Sequence, residues 1–533
     1  MVAERRKNLR VPATAIRTPL GPSNLGSPLE PLNNIHQISQ SSNPPKHSPI
    51  APDSVRMADF DGASHTFLAW LKQSGAEISP KIKLEDLRNK DAGRGVVATQ
   101  DIAEHELLFR IPRASILSVE NSILSNELPA PTLALLGPWL SLILVMLYEY
   151  HNGSASNWAP YFAVLPTDFN TLMFWSDDEL AELQASAVVN KIGKQGADDV
   201  FTEQLLPVIE EFAEIIFSGD ERAKDKAKEM RSPQNLELMH KMGSLIMAYA
   251  FDVEPATPPT DVDEEGFAEE EEDAALPKGM VPLADMLNAD ADSCNARLFY
   301  ENNCLEMKAL KATAAGDEIL NDYGSLPRSD LLRRYGYVTD NYAQYDVVEI
   351  PSELVAETLT RQSVWHADRL EYLDEQEVLD TGYDIAASTP FTLQESLSPE
   401  LVVLVESMLL PTEEFERLAS KSRLPKPEKI TSQGAELLLQ IIQARIAQYA
   451  TTLEEDLETF GAVPSVDAAL PKQRRFAMAM AVRIGEKQLL ANTKDALAEK
   501  IARDGGAAMA KRQRGIDEEG DVEMGGMGKK HRA

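Results

Sequence analysis

The run of apolar and polar positions divides the chain into a strand-rich part, interrupted by a long helical block, and a second helical block after it. Phe67, Leu68 and Leu71 share one helix face and predict a short helix over 67–75. The turn Ala92-Gly93-Arg94-Gly95 leads into an apolar run at 96–98, and a second run at 106–111 stops at Pro112; both read as strands. Helical spacing then dominates from 131 to 251. The most apolar run, 133–148, contains Pro138 and Ser141 and falls short of the roughly 20 residues that a membrane span requires, so it reads as a buried helix starting near Pro138. Ser232-Pro233 opens a further helix through Ala250, with proline in the first turn where its missing N–H costs nothing.

The stretch 280–337 changes period. Residues 281–287 alternate weakly and end at the polar Asn288. Runs at 297–300 and 304–310 predict two strands joined by the turn Glu301-Asn302-Asn303. Gly316-Asp317 marks another turn before a short strand at 318–320. Asn321-Asp322-Tyr323-Gly324 is a polar loop with one tyrosine. Ser329 is the expected cap of a short helix over 330–335, and Gly336 its stop, with Tyr335 and Tyr337 on either side. Beyond this, 346–350 reads as an edge strand and the chain from Pro351 as largely helical. Leu438, Ile442, Ile446, Tyr449, Leu453 and Leu457 recur at spacings of three and four and predict one long helix; Phe476, Met480 and Ile484 begin another such face.

Three segments lack the apolar content to build a core. Residues 1–57 are rich in Pro, Ser and Asn, 254–273 are acidic, and the chain past Gly505 is rich in Gly, Met and charge; all three are expected to be disordered. The basic cluster Arg5, Arg6, Lys7, Arg10 and Arg17 partly fits a transit peptide, and Met57 offers a second start. Short basic clusters at 511–514 and 529–532 are candidate nuclear-import signals. The domains read as a tail (1–57), a first strand-rich part (58–130), a helical insertion (131–253), an acidic loop (254–279), a second strand-rich part (280–350), a helical domain (351–503) and a tail (504–533).

Charge and cysteine content narrow the chemistry. The 533 residues carry a net charge of -33, which excludes nonspecific nucleic-acid binding, because neutralising phosphates needs a basic surface. An acidic protein suits a basic protein partner. Two cysteines, Cys294 and Cys304, exclude a disulfide scaffold and an all-cysteine zinc cluster, and the eight histidines lack metal-ligand spacing, so no metal is expected. The cysteine usage fits a reducing compartment, cytoplasm or nucleus. A monomer is expected.

The order ADMLN (284–288), CNARL (294–298), GDEILNDYG (316–324) and LLRRYGY (331–337) resembles the catalytic half of the SET-domain protein lysine methyltransferases. The likeness is to the Rubisco-methyltransferase type, whose SET domain is split by an insertion. Within it, the chain is similar to the group that contains SET-domain-containing protein 6 and the fungal ribosomal-protein lysine methyltransferases. It spans roughly residues 67–497, from the first predicted helix to the last.

The resemblance implies an α+β fold: small β-sheets with a pseudoknot-like core, a helical insertion, and an all-α substrate-binding domain. It implies S-adenosylmethionine as cofactor and a lysine of a basic protein, a ribosomal protein of the large subunit, as substrate. Tyr337 stands where relatives often have Phe, and the room its added hydroxyl takes up leads us to expect predominantly one methyl added. It carries cofactor roles to Gly93, Arg94, Gly95, Tyr249, Asp285, Asn288, Ala289 and Tyr323. Tyr323 is the expected catalytic tyrosine. Tyr335, Tyr337 and Trp139 are expected to line the substrate channel and groove, and Asn295 to tie strands together. Many relatives have Asn-His where this chain has Asn288-Ala289, which suffices if the second contact is through backbone. Two alternatives stay open: a substrate among non-ribosomal nuclear proteins, and a catalytically silent SET-fold module that binds basic peptides.

Overall fold

The structure is a computed structural model, and it describes residues 53–88, 92–253, 276–462 and 471–524. Twelve short strands form four antiparallel sheets among the described residues: β1 (Glu77–Ile78), β2 (Ile82–Asp86), β3 (Arg94–Ala98), β4 (Leu107–Pro112), β5 (Leu117–Ser118), β6 (Ala250–Asp252), β7 (Lys278–Met280), β8 (Ala296–Tyr300), β9 (Cys304–Ala309), β10 (Glu318–Ile319), β11 (Val347–Pro351) and β12 (Gly382–Ala386). The expected hairpin of the central stretch is β8–β9, in register Ala296 to Ala309, and β9 continues onto β4. β10 and β2 flank β3, so the Gly93–Gly95 turn enters the middle strand of its sheet.

The strands on either side of the insertion meet again. β7 lies between β5, which precedes the helical block, and β6, which follows it. The insertion therefore leaves and re-enters one sheet. The acidic residues 254–275, which lie outside the described residues, connect β6 to β7, so the loop expected to run to 279 ends in a strand instead.

The apolar run 133–148 is the core of the insertion. Its helix spans Ala130–Asn152 and breaks at Gly137, whose φ of 68° no helix allows, so the straight part begins at Pro138 as its sequence suggests. This helix is long and apolar enough to cross a membrane by length and composition. Here Leu142, Ile143, Leu144, Val145, Met146 and Leu147 are buried in a core shared with β3, β4 and β9.

Several helix boundaries differ from the expectation. The N-terminal helix is Asp53–Gln73, so order begins upstream of the expected 58 and well before Phe67. Phe67 and Leu71 are buried as predicted. The helix after the tyrosine loop is Arg328–Tyr335 with Pro327 as N-cap; Ser329 lies inside it and caps nothing, while Gly336 ends it at φ 78°. The long helix expected through 438–457 is two, Ser432–Ile446 and Leu453–Ala462. Thr452 starts the second with a reciprocal cap: its hydroxyl accepts from Glu455 N at 3.2 Å and its N–H donates to Glu455 Oε2 at 2.8 Å. Leu457, on the predicted apolar face, is consequently exposed. The last helix, Pro471–Met524, continues through residues expected to be disordered past 504. The basic cluster 511–514 falls within it, whereas those at 5–17 and 529–532 lie outside the described residues.

The C-terminal helices pack around the antiparallel β11–β12 pair through Val348, Ile350, Leu401, Leu438 and Leu490. Guanidinium groups join this domain to the insertion. Arg475 donates to the carbonyls of Phe169 and Phe174 and pairs with Glu179 at 2.8 Å; Arg483 donates to Glu182 O; Arg445 donates to Ala185 O. Leu172, Trp175 and Leu183 of the insertion, Leu332 of the Arg328–Tyr335 helix, and Met478 and Val482 of the last helix form a separate apolar cluster between them.

Candidate active site

A cavity of about 460 Å³ opens beside the split sheets, within the size range of small-molecule sites. Gly93 and Arg94 line it from the turn before β3, Tyr249 from the end of the Pro233–Tyr249 helix, and Asp285, Met286 and Asn288 from the chain after β7. Phe60 and Ala63 of the N-terminal helix close a further wall. The Arg94 guanidinium lies 4.1 Å over the Phe60 ring, and it donates to Ser64 Oγ at 3.2 Å and Val164 O at 2.8 Å. Arg94 thus pins the N-terminal helix and the insertion to the cavity rim.

Asp285 is buried. One carboxyl oxygen accepts the Tyr161 hydroxyl; the other has no hydrogen-bond partner among the described residues. Burial pushes this carboxyl up to about 7, against the pull of the Tyr161 hydrogen bond. An orphaned buried oxygen at the wall of a cavity calls for a donor from a ligand. The lining offers guanidinium groups to a carboxylate and the unpartnered Asp285 oxygen to an ammonium N–H, the two contacts that an amino-acid end requires, so the residues present fit S-adenosylmethionine.

The strands cross next to the cavity. Ala289 pairs with Asn321 in a parallel bridge: Asn321 N donates to Asn288 O at 2.8 Å, and Asp290 N to Asn321 O at 3.2 Å. Asn295 holds the crossing as expected of it. Its Nδ2 donates to Glu318 O at 2.9 Å, its Oδ1 accepts from Leu320 N at 2.8 Å, and its carbonyl accepts from Leu310 N.

This crossing sets Tyr323 against the cavity wall. Its hydroxyl donates to the carbonyl of Leu287, the residue between cavity-lining Met286 and Asn288, at 2.9 Å. The Tyr323 ring stacks on Tyr335 with centroids 4.3 Å apart and planes 9° apart, and Tyr337 meets Tyr335 edge-on at 6.4 Å. Burial raises all three phenols well above the ordinary value, Tyr335 to about 12. They are protonated at neutral pH. Tyr249 is likewise pushed up to about 12 by burial.

The structure brings Gly93, Arg94, Tyr249, Asp285 and Asn288 to one cavity, and Tyr323, Tyr335 and Tyr337 to one aromatic cluster beside it. Three residues sit differently. A Cβ at Gly95 would meet Leu87 Cδ1 at 2.3 Å, Glu318 Oε1 at 2.8 Å and Asn288 Nδ2 at 3.1 Å, so protein packing demands this glycine. Ala289 takes part through its backbone, in the strand crossing. Trp139, expected in the substrate groove and not in the cofactor site, is 36% exposed, lies against Gly243 of the Pro233–Tyr249 helix and does not line this cavity. Sequence reading missed Phe60 and Tyr161. Tyr161 lies in WAPYF, and only its chain-distant partner Asp285 sets it apart from a core aromatic.

A SET domain model matches residues 93–324, and a Rubisco LSMT substrate-binding model matches 366–490. The chain is 35% identical over 377 residues to ribosomal lysine N-methyltransferase 4 of Saccharomyces cerevisiae, covering 66% of this chain and 73% of that protein. It is 28% identical over 479 residues to N-lysine methyltransferase SETD6 of Homo sapiens, covering 80% and 93%. A solved structure of Rubisco LSMT bound to AdoMet shares the fold, with a TM-score of 0.57 at 20% identity over 83% of this chain and 92% of that one. The chain belongs to the SET-domain protein-lysine N-methyltransferases that carry a Rubisco LSMT-type substrate-binding domain. Its reaction is the transfer of a methyl group from S-adenosylmethionine to a lysine side chain.

Proposed function

We propose that this enzyme methylates a lysine in a protein of the large ribosomal subunit, adds predominantly one methyl group, and works in the nucleus, the cytoplasm or both. The yeast relative's name supports a ribosomal substrate, and the net charge of -33 suits a basic protein. The observation that carries the chemistry is the Tyr323–Tyr335 stack with the Tyr323 hydroxyl tied to Leu287 O.

S-adenosylmethionine supplies a methyl group on a sulfonium, which an amine displaces in line. Gly93, Arg94, Tyr249, Asp285 and Asn288 would hold it. The tyrosine cluster receives the lysine stem and keeps water away from the amine. Its burial favours the neutral amine, so the ammonium would release its proton to solvent water as it enters the cluster; the nitrogen lone pair would then form the nitrogen–carbon bond as the carbon–sulfur bond breaks, with S-adenosylhomocysteine leaving as a neutral thioether. Tyr323 spends its only O–H on Leu287, which leaves its oxygen lone pairs to accept from the amine N–H and the polarised methyl C–H groups. Held protonated by burial, it positions rather than deprotonates. Such alignment supplies about 7–11 kcal/mol of the barrier. The Tyr337 hydroxyl takes up room beside the nitrogen that a second methyl group would need.

The test incubates purified enzyme and labelled S-adenosylmethionine with ribosomes and soluble extract from cells in which its gene is deleted. A labelled large-subunit protein carrying monomethyllysine is expected. A labelled non-ribosomal protein, or a mainly dimethylated product, refutes the proposal.

A further inference from the structure

Tyr161 is a fully buried tyrosine of the insertion, and it meets the wall of the cofactor cavity through both its carbonyl and its hydroxyl. It sits on the one-turn helix Ala159–Phe162, which Trp158 anchors by donating from Nε1 to Ser115 O at 3.1 Å. Its ring stacks on Phe67 of the N-terminal helix, with centroids 6.0 Å apart. Its carbonyl accepts from Val164 N at 3.0 Å and Leu165 N at 3.2 Å, and both of those residues line the cavity. Its hydroxyl donates to Asp285 Oδ2.

Asp285 is held as firmly. It lies in the short 3-10 turn Ala284–Met286, which the chain enters through Leu283, a buried residue at φ 76°. That left-handed conformation is strained for leucine and persists only where the surroundings enforce it. The Tyr161 bond is the carboxyl's one hydrogen bond among the described residues, and Oδ1 stays unpaired at the cavity wall. Burial raises this carboxyl; the Tyr161 hydroxyl is the strongest pull back towards its charged form, and the N–H groups of Asp285 and Leu283 add to that pull from beyond hydrogen-bond geometry. A pair that served packing alone would satisfy both oxygens, because a buried polar atom without a partner is costly.

We propose that Tyr161 is a positioning residue of the cofactor site: by occupying one oxygen of Asp285 it presents the other to the ammonium at the amino-acid end of S-adenosylmethionine. The insertion then contributes to cofactor recognition through a residue that itself touches no part of the cofactor. The inference rests on the placement of the cofactor against Asp285 given above.

Calorimetry on the full-length enzyme, with no protein substrate, compares S-adenosylhomocysteine with its deaminated analogue, which keeps the carboxylate and lacks the ammonium. The unaltered enzyme should prefer S-adenosylhomocysteine by about tenfold or more, the effect of one hydrogen bond to a charged group. Tyr161→Phe keeps the ring on Phe67. It should cut that preference by about fivefold or more, with the analogue bound within about twofold of its affinity for the unaltered enzyme. Asp285→Asn should lose the preference too, and adding Tyr161→Phe to it should change S-adenosylhomocysteine affinity by less than about twofold. An unaltered enzyme without the preference overturns the proposal together with the placement of the ammonium at Asp285. A preference that survives Tyr161→Phe, an equal weakening of both ligands, or additive losses in the double variant overturns the role of Tyr161 alone. The ribosomal reading is untouched by either result, since no protein substrate is present.

Discussion

Gly95→Ala tests whether this glycine serves the cofactor or the protein. A methyl group there would lie 2.3 Å from Leu87 Cδ1, 2.8 Å from Glu318 Oε1 and 3.1 Å from Asn288 Nδ2. Leu87 is 2% exposed and has little room to retreat. Overpacking of this kind costs about 1–3 kcal/mol. The loss should appear in the cofactor-free enzyme as a lower urea midpoint at unchanged m-value. Cofactor affinity should fall too, because the displaced Asn288 amide is held to Glu318 Oε1 at 2.6 Å and lines the cavity. Leu87→Ala alone leaves a cavity worth about 2–5 kcal/mol. In the double variant the new methyl gains room, so the pair should be less destabilising than the sum of the two by about 1 kcal/mol or more. A cofactor-free Gly95→Ala enzyme as stable as the parent, or strict additivity with Leu87→Ala, would refute the packing account.

Tyr323→Phe should keep cofactor affinity within about threefold yet lower turnover by about 100-fold or more, the loss seen when a positioned polar group leaves a transition state. Calorimetry and single-turnover rates check this, and a loss in turnover below tenfold contradicts it. Tyr337→Phe should raise the dimethyllysine share read by mass spectrometry; an unchanged product ratio counts against the steric account. Glu486 is buried between the Ser186 and Tyr449 hydroxyls, at 2.6 and 2.7 Å, and faces Arg445 and Asp346; burial raises its carboxyl from 4.5 to about 7. The folded enzyme therefore holds a proton that the unfolded chain releases, and this group's contribution to stability falls as pH rises from 4.5 to 7. Relative to the parent, Glu486→Gln should gain about 3 kcal/mol across that interval, and urea titrations at several pH values showing a flat difference would refute it.

Features set by near neighbours in the chain were legible in the sequence. The β8–β9 hairpin follows from two apolar runs around Asn302-Asn303, and Gly336 stops its helix because only a left-handed residue ends it there. Asn295 was legible only through family likeness, since its partners at 310, 318 and 320 are remote in sequence. The same remoteness hid Tyr161, whose role depends on Asp285. Phe60 was obscured by the Pro- and Ser-rich residues before it, which gave no hint that a helix starts at Asp53. The break after Ile446 is written in the sequence as the capping pattern Thr452-Leu453-Glu454-Glu455, but the apolar spacing of three and four runs on across it and masks it. Thr451 shows what holds that break: its hydroxyl donates to Asp456 and its carbonyl accepts from Lys487, a partner on the last helix.

The guanidinium links from 445, 475 and 483 to backbone carbonyls between 169 and 185 have a bearing on biosynthesis. On a translating ribosome the insertion emerges some 300 residues before its last two arginine donors. Until they arrive, those carbonyls have only water or a chaperone to satisfy them. A nascent chain that ends near 470 would thus carry the cofactor cavity, the tyrosines and Arg445, but not the two arginines that hold the carbonyls of 169, 174 and 182.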